Sequence, residues 1–205
     1  MADCKNDHPS VCAVLLAAGA SRRFGGDNKL LADIGGTPLV RHVAEQLLSS
    51  RVGGVIVVTG FEGDKVREAL AGLDIQLVEN TAYAEGLASS LRCGVAALPK
   101  GVAGAMIVLA DMPGITAALV DLLIGAFEQE ACAKILFPAR ESGEQGNPVI
   151  WPSQFFKEIQ SLEGDTGAKS LIAVHAQHAI GVRVEDEHAL HDIDVPGDLA
   201  KLTKH

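Results

Sequence analysis

Segments that predict strands alternate with segments that predict helices over the first two thirds of the chain. The run VCAVLL at residues 11–16 is apolar without alternation, which is typical of a strand covered on both faces. Further strands are predicted at residues 55–59, 75–80, 105–113 and 134–139, and helices at residues 37–50, 64–70, 86–98 and 116–130. The first helix is expected to take Thr37 as its N-cap, with Pro38 in its first turn.

This alternation predicts βαβ units and a mostly parallel sheet with helices on both faces, a three-layer α/β/α sandwich. Ligands bind such sheets at the carboxyl ends of the strands, so the loops after Leu16, Thr59, Asn80 and Ala110 are expected to face one another. The last third is less regular. It holds a candidate hairpin in GEQGNPVIW (143–151), a short helix at 153–160, a strand at 179–184 and the closing segment DIDVPGDLAKL (192–202).

Composition narrows the function classes. The chain has 205 residues, is 48% hydrophobic and carries a net charge of -9. We expect one domain at residues 11–205 behind a loose tail at residues 1–10. The negative charge argues against nucleic acid or an anionic membrane as partner. No apolar run approaches the ~20 residues of a membrane span, and the N-terminus has no apolar signal segment, so we expect a cytoplasmic protein.

The four cysteines, Cys4, Cys12, Cys93 and Cys132, have no CxxC spacing, and we expect them to be free thiols.

Positive charge is concentrated in the loop after the first strand. AAGASRRFGGDNKLL brings Arg22, Arg23 and Lys29 together with glycines, which is what a phosphate cradle needs. The P-loop pattern GxxxxGK[ST] and the dinucleotide pattern GxGxxG are both absent here. From these residues alone, the loop is either a phosphate site of another kind or a surface turn.

The same loop resembles the LAAGxSxRMGxxNKLL motif of the GT-A-like (MobA-like) nucleotidyltransferases, and is most similar to their molybdenum cofactor cytidylyltransferase group. The positions in register are Leu16, Ala17, Ala18, Gly19, Ser21, Arg23, Gly25, Asn28 and Lys29, with Phe24 in place of the usual methionine. The resemblance extends from Val11 to Leu202 and implies a Rossmann-like (GT-A-like) sheet. It also implies that the loop holds a nucleotide triphosphate, where Arg23 and Lys29 neutralise charge on the α-phosphate and the leaving pyrophosphate.

Acidic residues follow two later strands. Asp111 in LADMP is a turn or capping aspartate by composition, and a Mg²⁺ ligand by the resemblance. The resemblance also makes Asp194 in DIDVP the preferred second metal ligand, with Asp192 as the less favoured one. Asp198 is expected in the first turn of the last helix, where the helix dipole favours negative charge.

The segment ENTAYAEGLASSLRCG places Asn80, Gly86, Ser89 and Ser90 between a strand and a helix. Ordinary capping explains the serines, whereas the resemblance implies contacts with base and ribose. The predicted nucleotide contacts are therefore Leu16, Ala17, Ala18, Gly19, Ser21, Arg23, Lys29, Asn80, Gly86, Ser89 and Asp111. By the same resemblance, the Ala17–Ala18 pair is typical of cytidylyltransferases rather than guanylyltransferases and favours CTP over GTP.

The last third holds the candidate acceptor residues. GNPV and GDTGAK are a hairpin and a helix start by composition, but in the family they lie on the acceptor side, which makes Asn147, Gly164 and Asp165 candidate acceptor contacts. Lys169 stands where the family more often has arginine and lacks the planar fork of that side chain. His175, His178, His188 and His191 match no metal-binding spacing and are expected to be solvated or capping residues.

The resemblance thus implies a Mg²⁺-dependent enzyme that transfers CMP from CTP to the phosphate of molybdopterin, with Arg23, Lys29 and Asp111 as catalytic residues and a molybdenum hydroxylase as possible recipient of the product. Two alternatives stay open: the same chemistry with GTP or another phosphorylated acceptor, and a non-catalytic pterin carrier. An oxidoreductase on this fold is less favoured, since the sequence has no nicotinamide or flavin fingerprint.

Overall fold

The computed structural model describes residues 11–20 and 28–184. Its strands are β1 Val11–Ala17, β2 Asp33–Ile34, β3 Thr37–Pro38, β4 Val55–Thr59, β5 Gln76–Glu79, β6 Gly104–Leu109, β7 Ile135–Ala139, β8 Val149–Pro152 and β9 Ala179–Arg183. Its helices are α1 Leu39–Leu48, α2 Gly63–Ala69, α3 Leu87–Ala96, α4 Ala117–Gln129, α5 Phe156–Gln160 and α6 Lys169–Val174.

Seven strands form one sheet in the order β5-β4-β1-β6-β8-β7-β9. Strands β5, β4, β1 and β6 are mutually parallel, β8 runs antiparallel to β6 and to β7, and β9 is parallel to β7. Within the described part of the chain, β8 is therefore the one reversed strand of this sheet. The prediction of a mostly parallel sheet between helices is confirmed.

The core has two main layers, one on each face of the sheet. Alternate residues of β1 point to opposite faces, so Leu15 joins the layer under α1, α2 and α4, whereas Leu16 joins the layer under α3, α5 and α6. Since β1 is buried along its whole length, its sequence carries no polar alternation. Three layers follow directly, with the sheet in the middle.

The N-cap predicted at Thr37 is wrong. Thr37 pairs with Ile34 in a two-stranded hairpin, and α1 begins only at Leu39 with Pro38 in the cap position. The hairpin turn consists of Gly35 and Gly36 at φ 62° and 92°, a geometry that glycine adopts without cost. The capping rule holds instead at α4, where Thr116 Oγ1 accepts a hydrogen bond of 3.2 Å from Leu119 N.

The cysteines do not all behave as predicted. Cys132 is disulfide-bonded, which corrects the expectation of four free thiols, whereas Cys12 and Cys93 are free. Burial raises the pKa of the Cys12 thiol to about 11 and also raises that of Cys93.

Across the helices that the structure describes, none combines the length and the apolar character needed to cross a membrane.

Candidate active site

The carboxyl ends of four parallel strands meet at one edge of the sheet. In the strand register, Ala17 lies beside Thr59, and Leu16 lies beside Leu109. Backbone hydrogen bonds join the loops beyond: Phe61 N donates to Ala18 O at 3.2 Å, Ala110 N to Leu16 O at 3.2 Å, and Asn80 N to Thr59 O at 2.8 Å. The loops predicted to face one another therefore do so.

Lys29 and Asp111 form an ion pair at this edge, although they lie 82 residues apart in the chain. Lys29 Nζ donates to Asp111 Oδ2 at 2.6 Å, and the two side chains are only 15% and 18% exposed. Two neighbours anchor Lys29: Asn28 Oδ1 accepts from Leu30 N at 3.1 Å, and the Leu30 side chain is buried in the core. Asp111 follows the buried strand β6 by two residues, so rigid elements position both partners.

Asp111 fits a divalent cation. Its second oxygen, Oδ1, is buried and has no hydrogen-bond partner among the described residues. A buried unpaired acceptor of this kind costs about 1–3 kcal/mol, and a carboxylate oxygen is the ligand that Mg²⁺ prefers. Within residues 11–20 and 28–184, no group of three or more acidic, cysteine or histidine side chains is close enough to hold a metal. The predicted second ligand, Asp194, lies outside this range.

The buried side chain of Asn80 forms hydrogen bonds that stabilise the loop between β5 and α3. Its Nδ2 donates to Ser89 Oγ at 2.8 Å and to Ser90 Oγ at 3.0 Å, while its Oδ1 accepts from Ala82 N at 3.0 Å. Ser89 Oγ in turn donates to Gly86 O at 2.8 Å. All three side chains are buried. They brace the loop before α3, and direct contact of Asn80 and Ser89 with a nucleotide stays a prediction.

Gly86 joins this loop to the predicted acceptor side. Ala88 N donates to Gly164 O at 3.1 Å, and Leu87 N donates to the Asp165 carboxylate at 3.3 Å, so an acidic side chain lies at the start of α3, where the helix dipole favours it. Gly86 has φ 111°, and a Cβ there would lie 2.5 Å from Gly164 O. Only glycine allows this close approach of two backbone segments.

Asn147 lies half-buried just before β8, the strand that runs between β6 and β7. The nearby Lys169 is exposed, and its ammonium donates to Gln145 O at 3.5 Å. Among the predicted histidines, His175 Nε2 bonds Glu158 Oε2 at 2.7 Å, and the His175 ring packs on Phe155 at 4.8 Å between ring centroids.

Several predicted residues lie outside the described ranges, and their predicted roles stay predictions. These residues are Ser21, Arg22, Arg23, Gly25, His188, His191, Asp192, Asp194 and Asp198.

Gly60, which follows β4, belongs to this site although none of the predicted site residues includes it. A Cβ at Gly60 would lie 2.8 Å from the Cβ atoms of both Ala18 and Tyr83, so the glycine lets three loops converge. A glycine that directly ends an apolar strand run was the available indication.

The sheet, its layers and the site at its carboxyl edge define an α/β protein of the GT-A-like nucleotidyltransferase fold. A solved Rv0371c homologue from Mycobacterium sp. strain JC1 has a TM-score of 0.82 and 30% identity, covering 96% of this chain and 98% of that one. The chain belongs to the MobA-like NTP transferase family, because the model of the MobA-like NTP transferase domain matches residues 13–180.

The relatives that match most of this chain have names that state different activities. Nicotine blue oxidoreductase of Paenarthrobacter nicotinovorans is 27% identical over 96% of this chain and 98% of its own length. A probable molybdenum cofactor guanylyltransferase of Thermococcus sibiricus is 28% identical over 92% of this chain and 95% of its own. Rv0371c of Mycobacterium tuberculosis, in complex with manganese, has a TM-score of 0.73 at 23% identity, covering 94% of this chain and 97% of that one.

Proposed function

We propose that the protein is a Mg²⁺-dependent nucleotidyltransferase that transfers CMP from CTP to the phosphate of molybdopterin and releases pyrophosphate. The family supports the reaction class. The guanylyltransferase relative supports a molybdenum-cofactor acceptor, since that protein spans nearly the same length.

The observation that carries the proposal is the pair of Lys29 and Asp111 at the carboxyl edge of the sheet. A half-satisfied, largely buried carboxylate beside a largely buried ammonium is a poor arrangement for stability alone, because both charges lose solvation. It is a good arrangement for an anionic ligand with its counter-ion. The carboxylate has an oxygen for the cation, and an ammonium group has three N–H donors for carboxylate and phosphate oxygens.

Asp111 would hold the metal, together with Asp194, and the manganese complex of the structural relative supports a divalent ion in this fold. When bound, the ion supplies charge neutralisation on the phosphates and orients them. Lys29 stabilises negative charge that grows on the α-phosphate and the leaving pyrophosphate, and Arg23 is proposed to do the same.

The reaction needs no covalent enzyme intermediate. A terminal phosphate oxygen of the acceptor attacks the α-phosphorus of CTP, a new P–O bond forms, and the bond to the β-phosphate breaks in line with it. The chain contributes mainly position, because the strand ends and the Gly86 loop hold two substrates side by side.

The choice of CTP rests on Ala17 and Ala18. Both are buried, at 0% and 3% exposure, and a Cβ at Gly60 would touch Ala18 at 2.8 Å. Residues at this turn set how closely a base approaches the strand end, and the alanine pair matches the cytidylyltransferase pattern. GTP is the competing nucleotide, as the guanylyltransferase relative indicates.

Pyrophosphate release tests the proposal. Purified protein is incubated with Mg²⁺ and molybdopterin, in parallel with CTP, GTP, ATP and UTP. Release with CTP supports the full proposal, release with GTP corrects the base, and release with none overturns the assigned acceptor or the reaction. Asp111→Asn should abolish release. The matched control is Asp74→Asn, which removes the same charge at an exposed residue between α2 and β5.

One observation favours a second candidate, an oxidoreductase. Nicotine blue oxidoreductase matches nearly the whole chain. Oxidation of NADH or NADPH, followed by absorbance with an electron-accepting dye, tests it. Under this candidate, cofactor oxidation would persist in Asp111→Asn, and no nucleotide would yield pyrophosphate.

A further inference from the structure

Three buried side-chain polar atoms in residues 11–20 and 28–184 have no hydrogen-bond partner. They are Asp111 Oδ1, Gln145 Nε2 and Trp151 Nε1. Trp151 is fully buried within the core layer of α3 and α5 and pairs with Ala105 near the amino end of β6, away from the carboxyl edge of the sheet. Asp111 and Gln145 differ from Trp151, because both lie in loops at the ends of strands. In Asp111 the unpaired atom is a hydrogen-bond acceptor, and in Gln145 it is a donor.

Gln145 lies at the same edge of the sheet as Asp111. It forms a β-bridge with Ala139, the last residue of β7, and Gly146 N donates to Pro138 O at 2.8 Å. Since β6 and β7 are both antiparallel to β8, their carboxyl ends lie on the same side. With one strand between them, the two strand ends are about 10 Å apart. One small phosphorylated molecule can therefore reach the loops that follow both strand ends.

The surroundings of Gln145 match an oxygen-rich ligand. Its backbone carbonyl accepts from Lys169 Nζ at 3.5 Å, which brings a positive charge to the same loop. Arg140 N donates to Glu144 O at 3.0 Å and closes the turn that carries Gln145. The backbone is thus fixed, while the buried amide N–H lacks an acceptor, an arrangement that costs about 1–3 kcal/mol until an acceptor arrives.

We propose that Gln145 is a specificity-determining residue for the acceptor substrate, and that its side-chain N–H donates to an oxygen of the bound, phosphorylated acceptor. This inference rests on the proposed function, because it takes the loop between β7 and β8 as the acceptor side. It adds a residue that none of the matched motifs assigns. A buried donor that the ligand must satisfy also discriminates against analogues that lack the matching oxygen.

Two variants test the inference, with molybdopterin as the probe. Gln145→Met keeps the length of the side chain and removes the donor, and Gln145→Glu keeps the shape but offers only negative oxygens. The control, Gln154→Met, removes an amide whose Nε2 donates to Ala133 O at 3.2 Å on an exposed residue at the other end of the sheet. Binding of molybdopterin and of CTP is titrated separately, and the unfolding temperature of each variant is measured.

We expect Gln145→Met to weaken molybdopterin binding about tenfold or more and Gln145→Glu to weaken it further, while CTP affinity stays unchanged. The unfolding temperature of Gln145→Met should not fall, because this substitution removes the unpaired buried donor. Unchanged molybdopterin affinity would overturn the inference. So would a loss confined to unfolding temperature, because the amide would then be structural, and so would a wild-type protein that binds no molybdopterin.

The two proposals fail differently. Molybdopterin binding that depends on Gln145, without pyrophosphate release from any nucleotide, would sink the proposed function and leave Gln145 as a contact of a pterin carrier. Pyrophosphate release that continues normally in Gln145→Met at low molybdopterin concentration would sink the inference and leave the proposed function intact.

Discussion

Gly86→Ala tests whether the nucleotide loop and the acceptor loop are held together as the structure has them. Gly86 adopts φ 111° and ψ 179°, a region that residues with a side chain rarely enter. A Cβ there would lie 2.5 Å from Gly164 O, 2.6 Å from Gly164 C and 2.8 Å from Asp165 N, and all three are backbone atoms. No side-chain rotation can relieve such a contact.

The cost has two parts. The backbone conformation costs about 1–3 kcal/mol for alanine, and displacing a neighbouring backbone segment costs about 1–3 kcal/mol more. Gly72→Ala is the matched control, because Gly72 also has a positive φ, 83°, but nothing lies within 4 Å of its ideal Cβ. Gly72→Ala should therefore cost about 1 kcal/mol. The two contributions together come to about 2–6 kcal/mol, so Gly86→Ala should cost about 1–5 kcal/mol more than Gly72→Ala, which corresponds to about 2–20 °C in unfolding temperature for a chain of this size.

Two assays check this expectation. Thermal unfolding gives the difference between Gly86→Ala and Gly72→Ala. Hydrogen exchange reports the amides of Leu87 and Ala88, which donate to Asp165 and Gly164 and should lose protection only in Gly86→Ala. The KM values for nucleotide and acceptor should both rise in this variant. Equal unfolding temperatures with unchanged exchange at both amides would refute the packing of these two loops.

Three further predictions concern the metal ligand, the loop brace and a buried thiol. Asp111→Asn should weaken manganese binding about 10- to 150-fold, measured by electron paramagnetic resonance, whereas Asp74→Asn should bind manganese as the wild type does. Equal manganese affinities of the two variants would show that Asp111 is not a metal ligand. Asn80→Ala loses three hydrogen bonds and should lower the free energy of unfolding by about 2–4 kcal/mol in urea titrations, and a smaller loss than 1 kcal/mol would contradict the brace. Burial raises the pKa of the Cys12 thiol from 9.0 to about 11 in the folded state. The thiol's contribution to the free energy of unfolding is therefore full below pH 9 and falls by at most about 3 kcal/mol as the pH rises through 11. The Cys12→Ala variant should lack this decline.

Strand and helix positions were largely predictable, because local apolar patterns decide them. The buried strands β1 and β4 show uninterrupted apolar runs, and both were predicted. Thr37 was misassigned because the capping rule reads only local sequence, whereas the Gly35–Gly36 turn draws Thr37 into a hairpin. The reversed strand β8 was not placed in the main sheet, since strand order follows from tertiary packing rather than local pattern.

The sequence predicts the charged residues of the candidate site but not which of its polar atoms lack a hydrogen-bond partner. Lys29 and Asp111 were identified by residue type and motif, and the parallel sheet explains why they meet. Asn80 was identified as well, but its bonds to two buried serines depend on how α3 packs against the strand end. Gln145 was not identified, because a donor without a partner is a property of the three-dimensional arrangement and leaves no trace in a single sequence.

The most direct test of the central claim follows the α-phosphate of CTP. CTP labelled at the α-phosphate is incubated with the protein, Mg²⁺ and molybdopterin, and the products are separated. The proposed reaction predicts that the label appears in a molecule joined to the acceptor, with one unlabelled pyrophosphate per product, and that Asp111→Asn yields neither. Label that stays in CTP, or appears only as free CMP, would contradict transfer to the acceptor and with it the central claim.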